Sequence, residues 1–172
     1  MNNKAETKEH KVLYAMPAGR YCFGCRKGPS EALGVRVYKM DDGSVASVIH
    51  TSAAHQSFEG IVHGGIINTY MDEVLSYAAW DGENYDGVAM TVEMNTKYLA
   101  PVPTDTDIRV IGDPPVIDRR HYYIKGRVLL PDDTVAATCE LHYIKLRKDD
   151  PRNRPEDEMR LDYPEERDTI SY

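Results

Sequence analysis

HQSFEGIVHGGIINTYMDEVLSYAAW, residues 55–80, is the stretch on which the fold turns. Its apolar run is too long for an ordinary strand and repeats with helical period. At about 100° per residue, Ile66, Tyr70, Val74 and Ala78 share a side with Ile67, Met71 and Leu75, an arc suited to a core. Asp72 falls outside that arc, on a stripe of small or polar residues made by Gly65, Asn68, Ser76 and Ala79. A carboxylate on the flank of a buried helix, with small neighbours, leaves room for a ligand. Glu73 points to the opposite flank and is expected to be solvated or salt-bridged.

The start of this helix carries a second chemical feature. Gly64 and Gly65 fall in the first turn, where backbone N–H groups lack intrahelical partners and the helix dipole favours negative charge. Such an end can polarise a carbonyl and hold the oxyanion formed when that carbonyl is attacked. Glycine lets a ligand come close to the backbone. Asp72 lies eight residues beyond Gly64, roughly 12 Å along one helix at about 1.5 Å per residue. Both groups cannot reach one carbon from a single chain, so cooperation between them calls for a second subunit.

The flanking sequence reads as strands. Val35 to Met40 and Ser44 to His50 alternate around an Asp41-Asp42-Gly43 hairpin turn. Beyond the helix, Gly82 in the polar turn 81–87 matches a stop signal. Val88 to Leu99, Asp107 to Ile111, Arg120 to Leu130 and Thr134 to Leu146 follow as strands joined by short turns, which favours antiparallel pairing. Simple alternation puts Thr91 and Glu93 on one face of the first of these. The fold class expected is therefore α+β, an antiparallel sheet wrapped around one long central helix. Residues 1–18 read as a flexible or loosely docked arm, 19–146 as the domain, and 147–172 as a polar, solvated tail with nine acids and six bases.

Composition bounds the function. With 172 residues, 41% of them apolar, the chain can bury a core without metal or disulfide help. No apolar run reaches the eighteen or so uncharged residues of a membrane span, and the start MNNKAETKEHK lacks a signal-peptide core, so a cytoplasmic location is expected. A net charge of −7 argues against a general nucleic-acid binder. Cys22 and Cys25 form a CxxC with no second pair and no ligand cluster nearby in sequence, so the pair is read as packing a loop rather than as a zinc or redox site. Cys139, inside an apolar strand, reads as a core thiol. No cofactor and no metal are expected.

His63-Gly64-Gly65, an Asp nine residues after the histidine, and the strand MTVEMNTKYLAPV at 90–102 together resemble the PaaI-type acyl-CoA thioesterases of the hotdog superfamily. The resemblance spans roughly Gly19 to Lys145, and the CFGC…LGV pattern at 22–35 is similar to the lead-in of THEM4-type thioesterases. It implies that Gly64 supplies the oxyanion N–H, that Asp72 is nucleophile or general base, and that Thr91 orients water. It also implies a homo-oligomer, a dimer or dimer of dimers, whose sites draw on two chains. His63 is expected to orient the loop and support the oxyanion site.

Relatives often carry Asn six residues before the histidine, where this chain has Ser57. Ser57, Gly65 and Asn68 are candidate substrate contacts, and Arg119 with Arg120 is a candidate for the CoA phosphates. Tyr70, Tyr77 and Tyr98 are candidates for the wall of an acyl pocket. The expected activity is hydrolysis of an acyl-CoA to free acid and CoA. The alternative is a non-catalytic acyl-CoA-binding module on the same fold; a hydratase ranks lower, since no Asp and His pair has the spacing such enzymes use.

Overall fold

The structure is a computed structural model that describes residues 3–26, 32–80, 88–153, 159–160 and 167–172. The turn and stop signal expected at 81–87 lie outside the described residues. The first strands are β1 (Glu9–Ala15), β2 (Ala18–Gly19), β3 (Tyr38–Met40) and β4 (Val45–His50), followed by short β5 (Gln56–Phe58) and β6 (Ile61–Val62). The helix α1 spans Gly64–Ser76 and ends in a 3-10 turn, Tyr77–Ala79. After it come β7 (Ala89–Tyr98), β8 (Asp107–Gly112), β9 (Val116–Asp118), β10 (His121–Leu129) and β11 (Val135–Lys145), then β12 (Met159–Arg160) and β13 (Thr169–Ser171).

Nine of these strands form one antiparallel sheet in the order β13-β1-β3-β4-β8-β10-β11-β7, with β9 beside β10. It is the sheet around one helix that the sequence predicts. Helix α1 lies across β4, β7, β8, β10 and β11 and buries Ile67, Tyr70, Met71, Val74 and Leu75, the arc read from its periodicity. Gly112 and Gly126 face one another in the β8–β10 register. A Cβ at Gly126 would sit 2.6 Å from both Leu75 methyl carbons, and one at Gly112 would sit 3.2 Å from Leu75 Cγ. The paired glycines make the dimple into which this one leucine packs.

Two expectations about the chain ends are corrected. Within the arm expected at residues 1–18, Glu9–Ala15 is strand β1, paired with both β3 and β13. Its alternate residues His10 and Val12 are buried, and Val12 joins Tyr38, Met40, Ile111, Leu129, Ile170 and Tyr172 in a second core cluster. Within the tail expected to be solvated, Thr169–Ser171 is β13. Ile170 and Tyr172 are buried there, and the Tyr172 ring stacks on His10 at 4.2 Å between centroids. A few apolar side chains at each end find each other, and that contact is invisible in either segment's local composition.

A third correction concerns β7. Thr91 pairs with Tyr143 and Glu93 with His142, so the register shifts by one residue between them and Val92 is the extra residue of a β-bulge. The bulge reverses the alternation. Thr91 therefore turns toward the helix, whereas Glu93 turns outward to line a cleft with Asn95, Glu140 and His142. The two residues lie on opposite faces, not on one.

Candidate active site

Helix α1 starts with His63 as its N-cap, and the imidazole Nδ1 accepts the Gly65 N–H at 2.8 Å. This bond consumes the Gly65 donor, which leaves Gly65 less able to hold a ligand than the sequence suggests. No group among the described residues accepts the Gly64 N–H. Tyr98 closes over the same turn: its hydroxyl lies 2.8 Å from the Gly64 carbonyl and 2.9 Å from Asn68 Oδ1, one proton between two acceptors. A Cβ at Gly64 would stand 3.3 Å from the Tyr98 ring, tight enough to force a shift.

Beside this helix start runs an open groove of ≈ 400 Å³. Ser57, Phe58, Gly64, Ile67, Tyr98 and Leu99 are among its walls, so it is apolar apart from a hydroxyl at each side and the helix N-terminus. Of the three tyrosines considered for such a wall, only Tyr98 is in it. Tyr70 and Tyr77 are buried in the core, where Tyr77 donates to the Pro17 carbonyl at 2.7 Å and Tyr70 lies 3.3 Å from His55 Nδ1.

Two turns further along α1, Asp72 is half-buried and held by two hydroxyls. Thr91 donates to Asp72 Oδ1 at 2.8 Å. The Tyr143 hydroxyl lies 2.7 Å from the Asp72 carbonyl and 2.9 Å from the same Oδ1. Burial, reinforced by the Asp72 charge, pushes the Tyr143 phenol well above its usual range, so it stays a proton donor. Both side-chain contacts fall on Oδ1, which fixes the rotamer and leaves Oδ2 without a hydrogen-bond partner among the described residues. Tyr143 was not singled out from sequence, because it sits in β11 and reaches Asp72 across 71 residues.

Glu73 is neither solvated nor salt-bridged, which corrects the expectation. Its Oε2 lies 3.0 Å from Cys22 Sγ, under the loop that carries the CxxC. Burial first, then the neighbouring Cys22, pushes the Glu73 carboxyl up to about 8. The side-chain hydrogen bond from Cys25, more than any other contact, brings Cys22 down to about 5.

The arginine pair lies elsewhere on the chain. Arg119 occupies the β9–β10 turn with a left-handed φ of 56°, and Arg120 donates to the Lys145 carbonyl at 3.0 Å. Tyr98, at the groove, pairs with Ala137; Lys145 is eight residues farther along β11, roughly 26 Å at about 3.3 Å per residue. Within one chain the arginines thus stand near the Asp72 end of the sheet and far from Gly64.

Residues 59–143 match the family model described as Thioesterase superfamily. The chain carries a thioesterase superfamily domain. A thioesterase superfamily protein designated RHA08564 has a solved structure that superposes with a TM-score of 0.59 at 27% identity, over 66% of this chain and 55% of that one. The PaaI protein of E. coli, from the phenylacetic acid degradation operon, superposes with a TM-score of 0.59 at 16% identity over 69% and 83%, a likeness of fold. An uncharacterized protein of Schizosaccharomyces pombe is 27% identical over 94 residues, 54% of this chain and 52% of its own length. This chain thus spans about half the length of the first and last of these. Among the described residues, no helix is long and apolar enough to cross a membrane.

Proposed function

We propose that this protein is an acyl-CoA thioesterase that works as a homo-oligomer, with the Gly64 N–H of one protomer and Asp72 of its partner meeting at one thioester. The observation that carries the reading is the division of labour along α1. An uncommitted N–H opens on an apolar groove at Gly64, and a carboxylate pinned by Thr91 and Tyr143 waits eight residues away. The pinned carboxylate is too far from the groove of its own chain. Strand β7 lies at the edge of the sheet and exposes Met90, Val92 and Tyr98, which supports pairing with a second copy.

In this reading the acyl chain lies in the groove, and the Gly64 N–H and the helix dipole stabilise charge building on the carbonyl oxygen. Asp72 then acts in one of two ways. As general base it takes a proton from water; hydroxide adds to the carbonyl carbon, the carbon–sulfur bond breaks, and the CoA thiolate leaves and is protonated. As nucleophile it forms a mixed anhydride that water opens. Thr91 positions the hydrolytic water. His63 and Asn68 hold the helix start, with Ser57 and Gly65 near the bound ester and Arg119 and Arg120 offered to the CoA phosphates.

Thiol release from short, long and aryl CoA esters tests the proposal, with turnover expected on at least one and with specific activity falling as the protein is diluted below its assembly threshold. Saturable binding without free thiol across the panel would instead identify a binding module. Tyr143→Phe should lower kcat roughly tenfold with KM little changed, because a hydrogen bond to a charged group contributes about 1.5–3 kcal/mol and its loss loosens Asp72 rather than the groove. An unchanged kcat would remove Tyr143 as a positioning residue.

A further inference from the structure

The CxxC that sequence leaves as loop packing has a third partner. Cys22 Sγ, Cys25 Sγ and a Glu73 carboxylate oxygen all lie within 4.8 Å of one another. We infer that these three side chains form a divalent-cation site, of a chemistry suited to zinc, that clips the N-terminal loop to helix α1.

Four features of the geometry support a cation rather than simple contact. First, both sulfurs collect backbone donors: Gly24 N–H and Cys25 N–H reach Cys22 Sγ at 3.2 and 3.3 Å, and Gly19 N–H reaches Cys25 Sγ at 3.1 Å. Amide dipoles aimed at sulfur stabilise thiolates, the form in which cysteine binds metal. Second, the two sulfurs are not joined by a disulfide, so each keeps its lone pairs for a ligand, and Cys25 is buried.

Third, Gly24 is the residue that lets the loop close on the acid. A Cβ there would fall 2.1 Å from Glu73 Oε2, so any side chain would push the carboxylate out of the cluster. Fourth, the donor set is right in kind and nearly right in spacing. Two thiolates and a carboxylate are zinc ligands, and a tetrahedral site with Zn–S of about 2.3 Å has a sulfur–sulfur edge of roughly 3.8 Å. The ligand atoms need only small movements inward. Tyr77 borders the cluster, 3.5 Å from Cys25 Sγ, but gives its proton to Pro17 at 2.7 Å and so leaves the fourth position to water.

The role that follows is structural. Glu73 adjoins Asp72, so a cation held by Glu73 and the loop would brace the half of α1 that carries the carboxylate. The inference does not rest on thioester cleavage and would stand if the protein only bound acyl-CoA.

The test uses the full chain, purified with reductant, stripped with a chelator and titrated with zinc. One zinc per chain is expected, with a higher Tm and protection of two cysteines from alkylation. Cobalt in place of zinc should give a thiolate-to-metal charge-transfer band. Glu73→Gln should weaken binding at least about tenfold, and Cys22→Ser with Cys25→Ser should abolish it. The wild-type titration decides the matter even if a variant fails to fold. Trace zinc at saturation would overturn the inference, as would binding that survives the double cysteine change, which would place the metal elsewhere, for instance at His10, Asp41 and Asp42. A reduced pair that ignores zinc but cycles to a Cys22–Cys25 disulfide would overturn it too, in favour of a redox couple.

Discussion

Asp72→Asn should reduce kcat for thioester cleavage by at least about 10²-fold, the low end for removing a general base. The substitution is close to a pure test of charge. Asparagine keeps the shape of the side chain and keeps an oxygen to accept from Thr91 at the Oδ1 position, so both contacts that fix the rotamer survive. What disappears is the anion that takes a proton from water or attacks the carbonyl carbon. The melting temperature should therefore stay close to that of the parent and KM should move little, since the apolar groove is built from other residues. Thr91→Ala makes a useful contrast, because it leaves the charge and removes only one of the two hydroxyls on it. Its loss should be smaller. Full turnover by Asp72→Asn on the esters that the parent cleaves would dismiss the carboxylate from the chemistry, whichever of its two roles is preferred.

What the sequence revealed and what it hid divide along one physical line. Helix α1 was legible because its signals are local: two glycines at the start, a periodic apolar arc and one acid off that arc. The hairpin at Asp41–Gly43 and the long strands from Ala89 onward were legible for the same reason, since turn residues and alternation lie within a few positions of each other. The misses are all pairings between distant segments. Val92 forms a bulge because of how β7 registers on β11, and nothing in MTVEM announces it. The same register brings Tyr143 to Asp72. Glu73 looked solvated because its partner, Cys22, comes from a loop 51 residues earlier. Strand β1 looked like a loose arm because its partner strand β13 begins at Thr169. One signal could have been used: an isolated Cys-x-x-Cys and an acid next to a proposed catalytic residue are both costly to bury alone, and each is a reason to look for the other.

Leu75 and the glycine pair beneath it give the largest stability effect expected in the molecule. Leu75 is fully buried; its methyls occupy the space that a side chain at Gly126 would otherwise fill, and its Cγ stands, with Val45, against the position of one at Gly112. Leu75→Ala should destabilise by about 2–5 kcal/mol, the transfer loss of the removed methyls plus the cavity they leave. Gly126→Ala should also destabilise, by about 1–3 kcal/mol, because the new methyl meets both Leu75 methyls at 2.6 Å and the Ile111 carbonyl at 2.8 Å. The informative protein is the double variant. With Leu75 shortened, the alanine at 126 enters vacated space, so the pair should be more stable than the two single effects added, by about 1 kcal/mol or more. Urea midpoints read this directly if m is unchanged and all proteins are compared at one concentration, since association adds to apparent stability. Additivity within about 0.5 kcal/mol would show that leucine and glycine do not share a packing site. The helix would then owe its seat on the sheet to the wider arc of Ile67, Tyr70, Met71 and Val74, and the carboxylate at 72 would be placed by that arc rather than by one leucine lodged between two glycines.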